Sequence, residues 1–319
     1  MKCLITGISG FVGSNLARHL VLTGHEVHGV VRGSSNLWRL EDIASRIRLH
    51  YADLREAAVV NSVFEAVHPE IVFHLAVHGA YSYQTKVDDI MSTALFGSIA
   101  LLEASHHYNV EALILAGSSS EYGTKNVPMR EDSLIDPNSF YAIGKAVQTM
   151  LARYYALQEK VYTTTLRLFS VYGPFEEPGR LIPTVILQAL RNEDITLADA
   201  KSARDFIYID DVVRAFVLAG KRRDLSGSIF NVGTGVQHTL EDIANIVLAI
   251  TDSDSRVIFN TYPGRSFDTT TWVGDMKHSS SVLKYIPKFS LREGLLHSRD
   301  WFEEHADVYE RFKVQSTSA

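Results

Sequence analysis

The sequence has few cysteines, no long apolar run and no cluster of basic residues, and each absence excludes a class of protein. Cys3 is the single cysteine among 319 residues, so no internal disulfide can form, and a reducing compartment is expected. No run approaches about 18 consecutive apolar residues, and the first apolar run stops at Thr6 and Gly7 instead of continuing as a signal peptide. Lys and Arg number 31 against 37 Asp and Glu, with no basic cluster. These absences predict a cytoplasmic protein that binds neither nucleic acid nor a membrane.

Short apolar runs alternate along the first half of the chain with stretches whose apolar residues recur at helical spacing. Strands are predicted at residues 2–6, 26–32, 48–51, 71–75, 112–116 and 162–168. Helices are predicted at 11–22, at 57–67, within 86–108 and at 140–157. This alternation is typical of a parallel sheet with helices on both faces, and right-handed crossovers make it a doubly wound, Rossmann-type α/β fold.

The regular alternation of predicted strands and helices ends at about residue 168. Proline and glycine crowd residues 173–183, and further helices are predicted at 184–191, 212–219, 241–250 and 291–304. At about 150 residues per domain, the length suits two domains or one large α/β unit. We therefore predict a dinucleotide-binding domain at 1–168 and a smaller C-terminal substrate-binding lobe at 169–319, with segments within 204–240 returning to the sheet.

A Gly-x-x-Gly-x-x-Gly segment lies between the first predicted strand and the first predicted helix. Glycine lets the backbone turn sharply and approach a diphosphate, and the helix N-terminus favours the negative charge. An ordinary glycine-rich turn is the alternative. In this strand-turn-helix setting we predict a dinucleotide site formed by Gly7, Ser9, Gly10, Phe11, Val12 and Gly13.

The end of the second predicted strand indicates which dinucleotide is preferred. A carboxylate there usually binds the ribose 2′-hydroxyl of NAD, but this sequence has Arg32 followed by Ser34 and Ser35. These residues suit a 2′-phosphate, so NADP(H) is the favoured cofactor and NAD(H) stays open; a solvated surface arginine is the alternative. Asp53, followed by Leu54, is placed to accept from the adenine amino group or to cap the next helix.

A tyrosine and a lysine are predicted to lie one turn apart on the same helix face. Tyr141 and Lys145 have this spacing, and a neighbouring ammonium would lower the tyrosine pKa enough for proton exchange with a substrate hydroxyl. Tyr309 and Lys313 repeat the spacing, in what is predicted to be a solvated terminal helix. Ser118 follows a strand whose carboxyl end lines the ligand crevice. Ser118 can therefore converge there with Tyr141 and Lys145, and no metal site is predicted.

Taken in order, these motifs resemble the extended short-chain dehydrogenase/reductase family that acts on nucleotide sugars. Besides the motifs above, the resemblance includes His74-Leu75-Ala76, Tyr122-Gly123, Arg167 to Pro174, Arg204-Asp205-Phe206, Asp210-Asp211-Val212, Asn231-Val232-Gly233 and Arg265. It therefore covers nearly the whole chain.

The resemblance implies a role for each matching residue. Ser118 would bind the sugar oxygen, Tyr141 would donate or accept the proton, and Lys145 would hold the nicotinamide ribose. Leu75 and Ala76 would line the cofactor site. The substrate-binding residues implied are Ser119, Ser120, Ser170, Arg180, Arg204 and Arg265. Arg204 and Arg265 match arginines that meet the nucleotide diphosphate, a bidentate task suited to guanidinium; surface ion pairing is the alternative.

Three positions depart from the family pattern. The 4,6-dehydratases of the family carry a glutamate two residues before the tyrosine of Tyr-Gly, where this sequence has Ser120. Glu121, one residue later, would point to the other side if the segment were extended, which disfavours a dehydratase. Ser170 replaces the asparagine common in Arg-x-x-Asn. The missing acidic residue after the second strand argues against a typical NAD-retaining 4-epimerase.

Residues 117–123, which contain the serine run, look most like reductases of 4-keto-6-deoxy sugar nucleotides. Residues 169–183 look like the enzymes of dideoxyhexose pathways. The sequence therefore predicts an NADP(H)-dependent 4-ketoreductase of a 4-keto-6-deoxyhexose nucleotide. The alternatives are a nucleotide-sugar 4-epimerase, a dehydratase or decarboxylase, and a non-catalytic NADP(H)-binding sensor. The resemblance also implies a homodimer in which residues 86–108 and 140–157 form an intersubunit four-helix bundle; packing on the sheet is the alternative.

Overall fold

The computed structural model describes residues 1–80, 83–260 and 269–309. Its strands are β1 (Lys2–Thr6), β2 (Glu26–Val31), β3 (Ile47–Tyr51), β4 (Ile71–His74), β5 (Ala112–Ser118), β6 (Thr163–Leu168), β7 (Ser170–Tyr172), β8 (Ile195–Thr196), β9 (Ala203–Arg204), β10 (Phe206–Tyr208), β11 (Ser228–Val232), β12 (His238–Thr239) and β13 (Val257–Ile258). Its α-helices are α1 (Phe11–Leu22), α2 (Ala57–Val67), α3 (Val87–Ser92), α4 (Ser98–His107), α5 (Phe140–Gln158), α6 (Leu181–Leu190), α7 (Ile209–Gly220), α8 (Leu240–Thr251) and α9 (Leu291–Glu304).

Seven parallel strands form the central sheet, in the order β11-β6-β5-β4-β1-β2-β3. The chain starts in the middle of the sheet and winds outward in both directions, so the strand order reverses between β1 and β4. The carboxyl ends of the strands open a ligand crevice at such a switch point. The predicted doubly wound α/β fold is confirmed.

The central strands of the sheet are buried on both faces, which explains why β4 and β5 consist largely of consecutive apolar residues. All residues of β5 are buried. Helices α1 and α7 contribute Leu16 and Phe216 to one core. Helices α2, α4 and α5 contribute Phe64, Leu101 and Tyr155 to the other core. None of the helices in the described residues combines the length and apolar character that a bilayer crossing requires.

Small elements form the C-terminal part of the chain. Strand β7 pairs with β10, β8 with β13 and β9 with β12, each as a two-stranded sheet. Helices α6, α8 and α9 pack on one another. Strand β11 joins the central sheet beside β6, and α7 packs on α1, so residues 209–232 contribute to the larger layer. The division of the chain at residue 168 stays a prediction.

Several elements differ from the predicted bounds. Strand β5 continues to Ser118, and the residues after it, Ser119–Tyr122, form a 3₁₀-helix instead of an extended segment. Helix α6 begins at Leu181 because Pro183 lies in the first turn, where its missing N–H costs nothing. The helix predicted within 86–108 is divided into α3 and α4 by a π-helical turn at Thr93–Gly97. Further 3₁₀-helices cover Trp38–Arg46 and Arg223–Leu225, and a second π-helical turn covers Ser279–Leu283.

Candidate active site

The glycine turn packs so closely against the neighbouring backbone that Gly7 and Gly13 have no room for a side chain. Gly7 has a φ of +73°, and a Cβ added there would lie 2.6 Å from the nitrogen of Ala76. A Cβ on Gly13 would lie 2.2 Å from the carbonyl oxygen of Gly7. Gly10 is the N-cap residue of α1 and leaves the first turn without a side-chain cap or an acidic residue. The turn therefore offers free backbone N–H groups and a positive helix end, which fits a dinucleotide diphosphate.

The other residues predicted around the dinucleotide lie close to this turn. Ser9, Phe11 and Val12 are half-buried at the start of α1, and both apolar side chains pack on the core. Leu75 donates its backbone N–H to the oxygen of Thr6 at 3.0 Å, which holds the end of β4 beside the turn. The structure thus brings the glycines together with the Leu75-Ala76 segment at the switch point.

The residues that follow β2 and β3 lie near one another. Arg32 is exposed and donates its backbone N–H to the hydroxyl of Ser35 at 3.0 Å. Asp53 accepts hydrogen bonds from both the backbone and the guanidinium of Arg55, and this partner holds the pKa of Asp53 below its ordinary value. Helix α2 begins at Ala57, so the alternative that Asp53 caps that helix is wrong. Leu54 is buried.

Ser118 and Tyr141 meet at the carboxyl end of β5. Tyr141 lies in the first turn of α5, which begins after Ser139 caps the helix by accepting from the N–H of Ala142 at 3.2 Å. Burial raises the pKa of Tyr141, whereas interaction with the Ser118 side chain and the charge of Arg180 lower it. Ser118 and Arg180 therefore oppose the effect of burial on the pKa of the phenol.

Lys145 lies one turn further along α5 and is buried beside the same strand. Its ammonium donates to the carbonyl oxygen of Ala116 at 2.7 Å. Burial lowers the pKa of Lys145 to about 8, against the opposing charge of Glu121. Lys145 and Tyr141 line one small pocket together with Val77 and His78. The predicted catalytic set is therefore assembled at one place in the fold.

Glu121 is occupied by a structural task away from this pocket. It is fully buried, and its carboxylate accepts from the backbone N–H of Ser118 and from Nε of Arg167, both at 2.8 Å. The bond from Ser118 completes the capping of the short helix that follows it, and the bond from Arg167 pairs the carboxylate with a buried cation. The orientation differs from the one expected for an extended segment, because the chain turns at Ser119, but the carboxylate is again directed away from the crevice.

The predicted substrate-binding residues that the structure describes do not form one cluster, and each has different hydrogen-bond partners. Ser119 accepts a hydrogen bond from the indole of Trp272 at 3.0 Å, and the guanidinium of Arg204 lies 5.3 Å from that indole ring. Ser120 shares hydrogen bonds with Ser118 at 3.1 Å, and Ser170 bonds through its backbone to the oxygen of Asp205. Arg180 is exposed and donates to the oxygen of Ala80 at 3.4 Å. Arg265 lies outside the described residues.

Several residues of this region were not predicted as site residues, and Gln148 and Trp272 are two of them. Gln148 lines the same pocket as Tyr141, and Trp272 connects Ser119 with Arg204. The sequence could have indicated Gln148, because it lies one turn after Lys145 on the same predicted helix. Trp272 lies in an irregular segment, and no pattern in the sequence indicated it. Within the described part of the chain, no group of three or more His, Cys, Asp or Glu side chains is placed to hold a metal ion.

Comparison with known proteins agrees with this geometry. The family model described as the NAD dependent epimerase/dehydratase family matches residues 3–233. The chain belongs to this family. The resemblance to extended short-chain dehydrogenases/reductases drawn from the sequence is confirmed.

Individual relatives align over almost the whole chain. A UDP-N-acetyl-alpha-D-glucosaminuronate decarboxylase of Bacillus cytotoxicus is 30% identical over 95% of this chain and 98% of its own. A UDP-glucose 4-epimerase of Mycolicibacterium smegmatis is 30% identical over the same shares, 95% and 98%. The crystal structure of a UDP-glucuronic acid 4-epimerase from Bacillus cereus, in complex with UDP-glucuronic acid and NAD, superposes with a TM-score of 0.84 at 26% identity and covers 96% of this chain and all of that one.

Proposed function

We propose that this chain is a nucleotide-sugar 4-epimerase that uses a nicotinamide dinucleotide and inverts C4 of a UDP-hexose. One observation carries the proposal: Ser118, Tyr141 and Lys145 converge at the carboxyl end of β5, beside a glycine turn shaped for a diphosphate. The sequence favours a 4-ketoreductase, with the epimerase as the alternative. The relatives named above support the epimerase better, because two of the three are UDP-sugar 4-epimerases.

The glycine turn, Asp53 and Lys145 would hold the dinucleotide, and its nicotinamide would supply the hydride acceptor and donor when bound. Tyr141, as a phenolate, takes the proton from the C4 hydroxyl while Ser118 holds the same oxygen by a hydrogen bond. The Lys145 ammonium stabilises the phenolate electrostatically. When C4 is reduced on its opposite face, Tyr141 returns the proton to that oxygen. One acid–base residue therefore serves both half-reactions.

Elimination of water, as in a 4,6-dehydratase, has less support. It requires an acid near C5 and C6 of the sugar, and the position at which the family's dehydratases carry glutamate is Ser120. Glu121 does not replace it, since both of its oxygens are engaged by Arg167 and the backbone of Ser118. The buried ion pair would have to break before Glu121 could reach the crevice.

A 4-ketoreductase is the second candidate, and Arg32 is the observation that favours it. This exposed guanidinium follows β2 where NAD-binding sites usually carry a carboxylate, so it suits the 2′-phosphate of NADPH. Asp53 brings negative charge to the same region, and the charge of Arg32 helps lower its pKa. The structural relative with bound NAD supports the other cofactor.

The two candidates differ in what happens to the cofactor over a full reaction. We would incubate the purified protein with UDP-, dTDP-, GDP- and CDP-sugars and either cofactor, and resolve the products by chromatography and NMR, since C4 epimers have equal mass. The epimerase proposal expects a C4 epimer without net loss of reduced nicotinamide. One NADPH oxidised for each product molecule would replace it with the reductase.

We also propose that the protein is a homodimer. Met150, Tyr154 and Leu157 are exposed by 62%, 53% and 60% and recur at helical spacing on α5, and Phe96 between α3 and α4 is 57% exposed. An apolar stripe of this kind on two neighbouring helices supports association with a second copy. The intersubunit four-helix bundle implied by the sequence resemblance would bury it.

A further inference from the structure

Four buried polar side chains form a hydrogen-bonded network behind Lys145. The network consists of Thr6 at the end of β1, His74 at the end of β4, Ser98 at the start of α4 and Gln148 on α5. The Gln148 side-chain nitrogen lies 3.0 Å from Nε2 of His74 and 3.1 Å from the hydroxyl of Ser98. Nδ1 of His74 lies 2.7 Å from the hydroxyl of Thr6.

The donors in this network determine the state of the imidazole. Since the Gln148 amide donates to Nε2, that nitrogen carries the lone pair and Nδ1 carries the hydrogen, which it donates to Thr6. Thr6 also accepts the backbone N–H of Ala76 at 3.3 Å. Burial and the charge of Lys145 lower the pKa of His74 to about 3, so the ring is neutral at physiological pH.

The network connects the two halves of the candidate site. Thr6 directly precedes Gly7, the first glycine of the turn, and Gln148 lies one helical turn after Lys145. A dinucleotide bound between the turn and α5 would lie between the two elements that the network connects. The distance between the glycine turn and the Tyr141–Lys145 pair is thus set by hydrogen bonds of fixed direction and not by apolar packing alone.

We propose that His74 and Gln148 are positioning residues that hold α5 against the glycine turn and keep the surroundings of the Tyr141–Lys145 pair free of an additional negative charge. The proposal rests on the proposed function, in which Tyr141 is the acid–base residue. Among the described residues, four titratable or charged groups line the pocket of this pair or act on it by their charge: Glu121 from the short helix after β5, His74 from β4, Arg180 from the segment before α6 and His78 from the segment after β4. Glu121 is the carboxylate among them, and Arg167 pairs with it.

The substitution Gln148→Glu tests this role because it changes charge while keeping size. A carboxylate in the pocket disfavours the Tyr141 phenolate, so the ultraviolet tyrosinate titration of Tyr141, obtained by subtracting Tyr141→Phe with the nicotinamide cofactor added, should move up by about one pH unit. The acid limb of the kcat profile should move with it, lowering kcat near neutral pH about tenfold while KM stays within about twofold.

Two further variants keep the test decisive. Gln148→Leu introduces no buried charge and should lower kcat about tenfold at every pH, with the tyrosinate titration unmoved. Ser105→Ala removes another buried hydroxyl of α4, which donates within its own helix to the oxygen of Leu101 at 2.6 Å, and should change neither quantity. The proposal is overturned if Gln148→Glu folds, binds cofactor and leaves the titration in place, or if Ser105→Ala has the same effects. If the wild-type protein converts no nucleotide sugar, the proposed function fails, whereas the titration needs no sugar and still tests the network.

Discussion

The side-chain nitrogen of Lys145 donates a hydrogen bond to the carbonyl oxygen of Ala116 at 2.7 Å, although the two residues are 29 positions apart. This bond attaches α5 to the strand that ends in Ser118, and it holds the ammonium one helical turn from Tyr141. One hydrogen bond from a charged side chain therefore connects the helix of Tyr141 with the strand of Ser118. The predictions below follow from this arrangement and from the surfaces around it.

Replacement of Tyr141 by phenylalanine should separate binding from catalysis. The ring stays in place, so cofactor affinity should change little, while the loss of the acid–base group should lower turnover by about 10²–10⁴-fold. Steady-state kinetics and a cofactor titration measure the two quantities. Tyr162→Phe is the matched control, because Tyr162 is 47% exposed and precedes β6. Near-normal turnover of Tyr141→Phe would show that the proton has another source.

Lys145 should impose a pH dependence on stability. Its pKa falls from 10.5 to about 8 on folding, so between these values the unfolded chain binds more protons than the folded one. The free energy of unfolding should therefore rise with pH across this window, by about 3 kcal/mol in total, and Lys145→Met should lack this rise. Urea titrations of both proteins from pH 7.5 to 10 would measure the difference in slope. Parallel curves would show that folding does not lower the pKa of Lys145.

Arg32 should decide the preference for the 2′-phosphate. We expect Arg32→Ala to raise the KM for NADPH severalfold and to leave that for NADH nearly unchanged, because an exposed guanidinium contributes mainly by its charge on the phosphate. Arg48→Ala removes an exposed arginine of the neighbouring strand and serves as the control. An equal effect of Arg32→Ala on both cofactors would mean that Arg32 does not recognise the 2′-phosphate.

The apolar stripe on α5 should mediate self-association. We expect light scattering to give the mass of a dimer for the wild-type protein at micromolar concentration and that of a monomer for Met150→Asp, because a carboxylate would be buried without a partner in the interface. Leu134→Asp changes a side chain that is 81% exposed in a loop and should remain dimeric. A monomeric wild-type protein rules the dimer out.

The amino-acid sequence by itself predicted several elements of the first half of the chain and the placement of Tyr141 and Lys145 on one helix. Strand β1, helices α1 and α2 and the pair Tyr141 and Lys145 follow from local spacing, since apolar periodicity, glycine at a tight turn and a four-residue interval act within one or two turns of chain. The bounds of β1, α1, α2 and α9 agree with the predicted ones for this reason.

Only the tertiary structure decided which polar side chains around Tyr141 and Lys145 pair with one another. Glu121 is bound by Arg167, Ser119 by Trp272 at a separation of 153 residues, and His74 by Gln148 at a separation of 74. No interval in the sequence encodes these pairings, because strands adjacent in the sheet are distant in the chain. Burial then makes each partner obligatory, since a polar group left unpaired in the core costs about 1–3 kcal/mol. The switch point of the sheet thus brings the glycine turn, the Tyr141–Lys145 pair and the network behind them to one place.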